Sequence, residues 1–173
     1  MALFMKTPTK LIAGIAALAI AAGAAFALLQ KSAAPEVRFV TLSGQNFATS
    51  DLRGKVVLVN FWATSCVTCV KEMPMLIDTH RKFAPRGYET VLVAMSYDPP
   101  NQVAAFTQSR ALPFRMALDA SGEIARRFGD VRVTPTTFVL NRQGRILKQY
   151  LGEPDAAGLH ALLEQALAEP AQL

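Results

Sequence analysis

The chain has 173 residues, a length that predicts one domain, and 51% of them are hydrophobic, more than a small soluble domain needs. Its net charge of +5 includes Lys6, Lys10 and Lys31, which flank one uncharged segment, whereas residues 32–173 carry 15 basic and 13 acidic side chains, a net charge of +2. No basic cluster or interleaved aromatic stripe accompanies this small excess, so the sequence argues against a nucleic-acid partner.

The excess of apolar residues lies at the N-terminus, where residues 11–29 carry no charge. This run is long enough to approach a bilayer span and exceeds the roughly 7–15 apolar residues of a signal peptide. The sequence therefore predicts a cytoplasmic segment over 1–10, a transmembrane helix over 11–29, a linker over 30–36 and a domain over 37–170. Cleavage as a signal peptide near residues 25–27 is the alternative. In both cases the preceding lysines direct the domain to the extracytoplasmic, periplasmic side of the inner membrane.

Hydrophobic periodicity and turn residues predict an alternation of strands and helices along the domain. We expect strands at 37–42, 46–49, 56–61, 89–96, 114–118, 136–140 and 145–150, and helices at 66–83, 101–110, 121–128 and 155–168. The strand at 56–61 is continuously apolar, which is typical of a strand buried on both faces of a sheet. The pattern predicts an α/β fold with a mixed central β-sheet and helices on both faces.

Two residues inside these elements carry local predictions. Pro74 falls within the first helix, where a missing backbone donor should produce a kink. Ser121 is predicted as the N-cap of the third helix, and Gly129 as the residue that ends it.

Cys66 and Cys69 are the only cysteines, and they lie where the strand at 56–61 gives way to a helix. The first turn of a helix presents unpaired N–H groups and the positive end of the macrodipole, and both favour a thiolate. The spacing brings Cys69 round one helical turn to meet Cys66, so the pair can form a disulfide and release it. A bridge that closes so short a loop adds little stability, which indicates redox activity rather than a structural disulfide.

The sequence around the cysteines resembles the thioredoxin superfamily and, within it, the TlpA/ResA-like group of membrane-anchored thioredoxin-like disulfide oxidoreductases. The features that carry the resemblance are the GKVVLVNFWAT sequence at 54–64, the KEMP sequence at 71–74, and the insertion between Tyr97 and Phe128. The resemblance covers roughly residues 36–168. It implies a thioredoxin fold with an N-terminal β-hairpin and a central helix–strand insertion.

The resemblance also implies roles for individual residues. Cys66 would be the nucleophile, and Cys69 would resolve the mixed disulfide by attacking the first sulfur. Glu72, on the helix face of Cys69, would tune the thiol pKa and relay a proton, the alternative being an exposed helix charge without a role. Thr134-Pro135 resembles the cis-proline that faces the dithiol, where the Thr134 backbone would pair with a bound client.

Three positions near the cysteines refine this assignment. Asn60 stands where thioredoxin has a buried Asp, and because an amide cannot act as a base, Glu72 is the better candidate for that role. Trp62 and Ser65 are expected to contact the client; Ser65 replaces the Trp that is usual before the first cysteine, and its hydroxyl could donate a hydrogen bond to the thiolate. The uncharged Val67-Thr68 pair favours a reductant over an oxidant.

The predicted function is therefore an extracytoplasmic thiol-disulfide oxidoreductase that reduces client proteins, in cytochrome c maturation or at copper-site thiols. By resemblance, electrons would come from a membrane-embedded dithiol donor. No metal and no cofactor beyond the redox-active pair is predicted.

Two alternatives remain open, a copper chaperone and a thiol peroxidase. Met73 and Met75 offer soft sulfur for Cu(I), but His80 and His160, the only histidines, are predicted on helix surfaces and supply no third ligand. A peroxidase needs Thr three residues before the reactive cysteine, where this chain has Ala63.

Overall fold

The computed structural model describes residues 32–170, which contain a seven-stranded sheet and its flanking helices. The strands are β1 (Arg38–Thr41), β2 (Asn46–Ala48), β3 (Val56–Trp62), β4 (Tyr88–Ala94), β5 (Arg115–Leu118), β6 (Thr136–Leu140) and β7 (Ile146–Leu151). The α-helices are α1 (Val67–Phe83), α2 (Pro100–Ser109), α3 (Glu123–Arg127) and α4 (Ala156–Ala168), and short 3-10 helices span Thr49–Leu52 and Ala84–Arg86.

The strand order in the sheet is β2-β1-β5-β4-β3-β6-β7. The central strands β3, β4 and β5 run parallel, while β1, β6 and β7 each pair antiparallel with a neighbour. β1 and β2 form an antiparallel hairpin at the beginning of the domain. The predicted mixed sheet, the N-terminal hairpin and the helix–strand insertion are thus confirmed, the insertion being α2 and β5, which adds a strand between β4 and β1.

The sheet separates two hydrophobic cores. One packs α1 and α4 against the first face and includes Leu58, Leu76 and Leu159. The other lies under α3 on the second face, where Phe61 and Phe138 meet. Every residue of β3 and β4 is buried because both strands are central and covered on both sides. These two strands give α1 a rigid base.

The third helix shows where local sequence was misleading. Ser121 was predicted as its N-cap, but Gly122 occupies that position with φ of 71°, and Ser121 lies one residue earlier, where its hydroxyl accepts a hydrogen bond from the N–H of Glu123 at 3.3 Å. The next two N–H groups are capped by the buried Asp119, whose carboxylate accepts hydrogen bonds from Ile124 at 3.0 Å and Ala125 at 2.8 Å. A carboxylate at the end of β5 therefore fixes the start of α3.

The predicted transmembrane segment at 11–29 lies outside the described residues. Among the helices within residues 32–170, none combines the length and the apolar character that a membrane crossing requires.

Candidate active site

The dithiol lies where β3 ends and α1 begins. β3 ends at Trp62, and Cys66 is the N-cap of α1, with its Sγ accepting a hydrogen bond from the N–H of Cys69 at 3.2 Å. The two cysteines form a disulfide, with their Cα atoms 5.2 Å apart. Cys66 is half-buried and Cys69 has no exposed surface. The sulfur that a protein client can reach is therefore that of Cys66.

The position of Cys66 favours a thiolate when the disulfide opens. A sulfur at the N-cap faces the free N–H groups of the first helical turn, and the N–H of Cys69 already points at it. Hydrogen bonds to the charged form and the positive end of the helix dipole both lower a thiol pKa. The first turn of α1 contains no acidic residue that would oppose this effect.

The loop before Cys66 is held by a residue that the sequence did not reveal. Asp98 is almost completely buried, and its two carboxylate oxygens accept hydrogen bonds from the backbone N–H and the hydroxyl of Thr64, each at 2.6 Å. Asp98 belongs to the loop between β4 and α2, so the insertion braces the approach to Cys66. Because the partners are 34 positions apart in the chain, no short motif links them.

Two residues predicted to contact a client lie in very different surroundings. Trp62 is fully buried, packs against Phe106 with ring centroids 5.2 Å apart, and donates its Nε1–H to the sulfur of Met116 at 3.3 Å. Its burial argues against the predicted client contact and makes Trp62 a core residue beneath the loop. Ser65 is exposed, and because the two cysteines form a disulfide here, its hydrogen bond to a Cys66 thiolate stays a prediction.

Glu72 lies inside the protein rather than on the exposed helix face of the alternative interpretation. Its side chain has no exposed surface, and its Oε1 accepts a hydrogen bond from Nδ2 of Asn60 at 2.8 Å. Burial raises the pKa of Glu72 to about 7, a rise that the Asn60 hydrogen bond opposes and the nearby charge of Glu153 reinforces. A carboxyl group with such a pKa can take up and release a proton near neutral pH.

The peptide bond between Thr134 and Pro135 is cis, as the resemblance implied. Thr136, the first residue of β6, pairs with Phe61 near the end of β3. Pro135 therefore lies at the end of the sheet from which the dithiol loop starts. The Pro135 carbonyl accepts a hydrogen bond from the N–H of Gly152 at 2.8 Å, which ties this loop to the end of β7.

Exposed apolar side chains collect around these loops. Within residues 32–170, five large hydrophobic side chains are exposed: Val40, Val67, Tyr97, Val133 and Leu151. Val67 follows Cys66 directly and is 83% exposed, Val133 precedes the cis peptide bond, Leu151 pairs with Thr136, and the Tyr97 hydroxyl lies 3.5 Å from that of Thr134. We call Val67, Tyr97, Val133 and Leu151 the apolar rim. The rim provides a hydrophobic surface beside Cys66.

Both histidines are half-buried between packed elements, so they are less exposed than the predicted surface positions. The Nδ1 of His80 is 3.1 Å from the hydroxyl of Thr90, and its ring packs edge-on against Phe114. The Nε2 of His160 lies 2.9 Å from the hydroxyl of Thr79, which connects α4 to α1. Helical periodicity places these residues on faces that the sheet and the neighbouring helix then cover. Within residues 32–170 no three His, Cys, Asp or Glu side chains group as metal ligands would.

A cavity of about 570 Å³ lies between β1 and α3 and is lined by Val40, Asp119 and Arg127 among others. None of the dithiol residues lines it. Around the half-buried Cys66, Ser65 and Val67 are exposed, so a protein client can approach its sulfur.

Comparison with known proteins gives the family. The profile of the Redoxin family matches residues 29–165. Thiol-disulfide oxidoreductase ResA of Bacillus thuringiensis subsp. konkukian is 31% identical over 133 residues, which cover 76% of this chain and 75% of the relative. The ResA protein of Bacillus subtilis is 32% identical over 129 residues, which cover 75% of this chain and 71% of that one.

A solved structure agrees with this likeness. The thiol:disulfide interchange protein of the thioredoxin family from Chlorobium tepidum is 26% identical, with a TM-score of 0.72 over 80% of this chain and 98% of the other. Since the match extends over the sheet, the helices and the dithiol, the chain belongs to the Redoxin family and is a thioredoxin-fold thiol-disulfide oxidoreductase of the ResA type.

Proposed function

We propose that this protein is a membrane-tethered reductant of disulfide bonds in extracytoplasmic client proteins. The observation that carries the proposal is the Cys66–Cys69 disulfide at the start of α1, with a half-buried Cys66 and a fully buried Cys69. This asymmetry supports a role for Cys66 in the attack on a client and for Cys69 in the resolving step.

In the first step of the proposed reaction, the reduced Cys66 thiolate attacks one sulfur of a client disulfide. A bond forms between Cys66 and the client, and the second client sulfur leaves as a thiolate. In the second step Cys69, as a thiolate, attacks the sulfur of Cys66. The mixed disulfide breaks, the client leaves with both thiols reduced, and two electrons have passed from the protein to the client.

Glu72 provides a place for the proton that Cys69 must lose. A buried thiol ionises poorly, and Cys69 has no exposed surface through which water could accept its proton. Glu72 lies one helical turn further along α1, and its pKa of about 7 lets it act as a base when ionised and as an acid when neutral. The same carboxyl can return the proton when a donor reduces the disulfide again.

The apolar rim supports a polypeptide client. Exposed apolar surface on both partners favours association. We propose that the Thr134 backbone pairs with an extended client segment while the rim contacts its side chains. Ser65, which is exposed before Cys66, leaves space for a bulky neighbour of the client cysteine.

The direction and place of the reaction follow from sequence features outside the dithiol itself. Val67 and Thr68 are uncharged, so they lack groups that would further stabilise a Cys66 thiolate and make the protein strongly oxidising. The apolar segment at 11–29 would anchor the domain on the extracytoplasmic side, within reach of a membrane-embedded dithiol donor. Haem-site cysteines of cytochromes c and copper-site thiols are the client classes that we propose.

Equilibration with glutathione redox buffers tests the direction. We expect a reduction potential nearer to about −270 mV than to about −120 mV. A value near the oxidising end would exclude the proposed role as a reductant.

Trapping tests the client class. A Cys69→Ser variant retains Cys66 but cannot resolve, so client proteins should accumulate on it as mixed disulfides that mass spectrometry can identify. The matched control carries Cys66→Ser as well and should capture nothing. Capture by both variants would show non-specific association. Failure to capture anything, together with tight copper binding by the purified protein, would instead favour the copper chaperone.

A further inference from the structure

Asn60 occupies a buried position on β3 between two polar partners. Its Nδ2 donates to Oε1 of Glu72 at 2.8 Å and to Oγ1 of Thr137 at 2.9 Å. Thr137 is the residue directly opposite Asn60 in the antiparallel β3–β6 pair. Both hydrogens of the amide nitrogen are therefore committed, one across the sheet and one towards α1, which fixes the plane of the amide.

The two carboxyl oxygens of Glu72 differ in their hydrogen bonding. Oε1 is held by Asn60, whereas Oε2 is buried and has no hydrogen-bond partner among the described residues. A buried acceptor without a partner is costly, and within residues 32–170 Oδ1 of Asn60 is a second one beside Oε2, so stability does not explain this arrangement. The unpartnered oxygen is the one free to bind a proton.

The groups around Glu72 come from four elements. Cys69 lies on α1, Asn60 on β3, Thr137 on β6, and Tyr150 is the register partner of Thr137 on β7, where its buried hydroxyl has no partner among the described residues. The formal charge that acts on Glu72 is that of Glu153, just beyond β7.

The charge of Glu153 is itself partly compensated. Its Oε2 lies 3.1 Å from Nζ of Lys71, which neighbours Glu72 on α1. Among residues 32–170, the hydrogen bond from Asn60 is therefore the one direct polar contact that favours the ionised carboxylate.

We infer that Asn60, oriented by Thr137, is a positioning residue that holds Oε1 of Glu72 and thereby makes Oε2 the oxygen that exchanges a proton with Cys69. This inference deepens the proposed function and rests on it for the role of Cys69. The proton leaves the Cys69 thiol for Oε2, giving a thiolate and a neutral carboxyl group. The thiolate then attacks Cys66, the bond between Cys66 and the client breaks, and the client sulfur leaves with the electron pair. The proton later passes from Oε2 to that sulfur or to solvent.

The test is a titration of the Glu72 carboxyl carbon by ¹³C NMR in the oxidised protein, which needs no client and no donor. Wild type should titrate with a midpoint near 7. Asn60→Ala removes a hydrogen bond to the charged form and should raise the midpoint by about one pH unit. Thr137→Val keeps the shape of the side chain but frees the amide to rotate, so it should raise the midpoint by less.

The matched control is Thr90→Val, which also removes a buried hydroxyl from a central strand but leaves Glu72 and its partners intact. Its midpoint should equal that of wild type. An unchanged or lower midpoint in Asn60→Ala would overturn the inference, and if that variant does not fold, an unchanged midpoint in Thr137→Val overturns it instead. A protein that shows the predicted shifts but reduces no client disulfide would refute the proposed function and leave the positioning role of Asn60 intact.

Discussion

Helix α1 carries two ionisable side chains that pack against the sheet, the buried Glu72 and the half-buried His80, and they differ in how completely they are hydrogen-bonded. Glu72, near the dithiol, has one oxygen held by Asn60 and one without a partner among the described residues. His80, about two turns further on, contacts the Thr90 hydroxyl, which in turn donates to the hydroxyl of Tyr88 at 3.0 Å. The polar groups around His80 are therefore hydrogen-bonded to one another, whereas Glu72 near the dithiol keeps an oxygen without a partner within residues 32–170.

This difference indicates that the N-terminal end of α1, with Glu72, takes part in the reaction, and that the part around His80 serves stability. A closed buried network stabilises a fold, whereas an unpartnered buried acceptor reduces stability and persists where it serves a function. The two groups also titrate in opposite senses, since burial raises the pKa of Glu72 and lowers that of His80. Ionisation of Glu72 therefore lowers the stability of the protein as pH rises, and protonation of His80 lowers it as pH falls.

Substitution at the reactive sulfur gives the largest expected effect. Cys66→Ala removes the only accessible nucleophile, so disulfide reduction should fall by at least about 10³-fold. Thr68→Ala, between the two cysteines and exposed, serves as control and should leave the rate unchanged within about twofold. Insulin reduction with a chemical donor measures both. Substantial activity in Cys66→Ala would mean that Cys69 attacks clients directly, which its burial argues against.

Glu72→Gln should change how stability depends on pH. The folded wild type holds a proton that the unfolded chain releases between the ordinary pKa of 4.5 and about 7, so its stability is highest below 4.5 and falls as pH rises through this window. The loss amounts to about 3 kcal/mol above pH 7. The variant carries no such proton and should lack the fall. Denaturant unfolding of the oxidised proteins at pH 4 and pH 8 measures it, and equal changes in both proteins would contradict the raised pKa.

Thr90→Val should cost stability without affecting the reaction. The substitution removes the hydroxyl that joins His80 to Tyr88 and leaves buried polar groups without a partner, at a cost of about 1–3 kcal/mol. Denaturant unfolding and the rate of disulfide reduction should be measured on the same preparation. A slower reaction at unchanged stability would show that the contacts around His80 serve the reaction rather than the fold.

His80→Phe addresses the acid side of the same comparison. Because the folded protein lowers the pKa of His80 below 6.5, chiefly through burial, wild type should lose stability as pH falls below 6.5. Phenylalanine fills a similar volume beside Phe114 and cannot take up a proton, so the variant should lose less over that range. Thermal unfolding at pH 5 and pH 7 compares them. A wild type that loses no more than the variant would show that His80 is protonated without penalty.

Much of the fold could be predicted from the sequence because its central strands are buried on both faces and therefore consist of continuous runs of apolar residues. The continuous run at 56–61 predicted a strand buried on both faces, and β3 extends only one residue further. The strand-to-helix junction placed both cysteines correctly, with Cys66 as the cap rather than the first helical residue. β6 spans the predicted residues, and the boundaries of the other strands and helices differ by one or two residues, because hydrogen bonding rather than periodicity sets them.

What the sequence could not supply were contacts between distant polar residues. Asn60 and Thr137 are 77 positions apart, and only the β3–β6 register brings them face to face. Asp98 reaches Thr64 because the insertion returns to the dithiol loop, and a single acidic residue beside two prolines gives no signal of that return. The burial of Glu72 was equally hidden, because helical spacing alone does not reveal that β3 carries an amide beneath it.

The measurement that tests the central claim most directly is the pH dependence of the resolving step, followed by rapid mixing of a pre-formed mixed disulfide on Cys66. In wild type the rate should rise with a midpoint near 7, as Glu72 becomes ionised and able to accept the proton of Cys69. Glu72→Gln should be slower by about 10²-fold and should lose that midpoint, so that its rate follows only the unassisted ionisation of Cys69 at higher pH. Identical pH profiles in the two proteins would contradict the account.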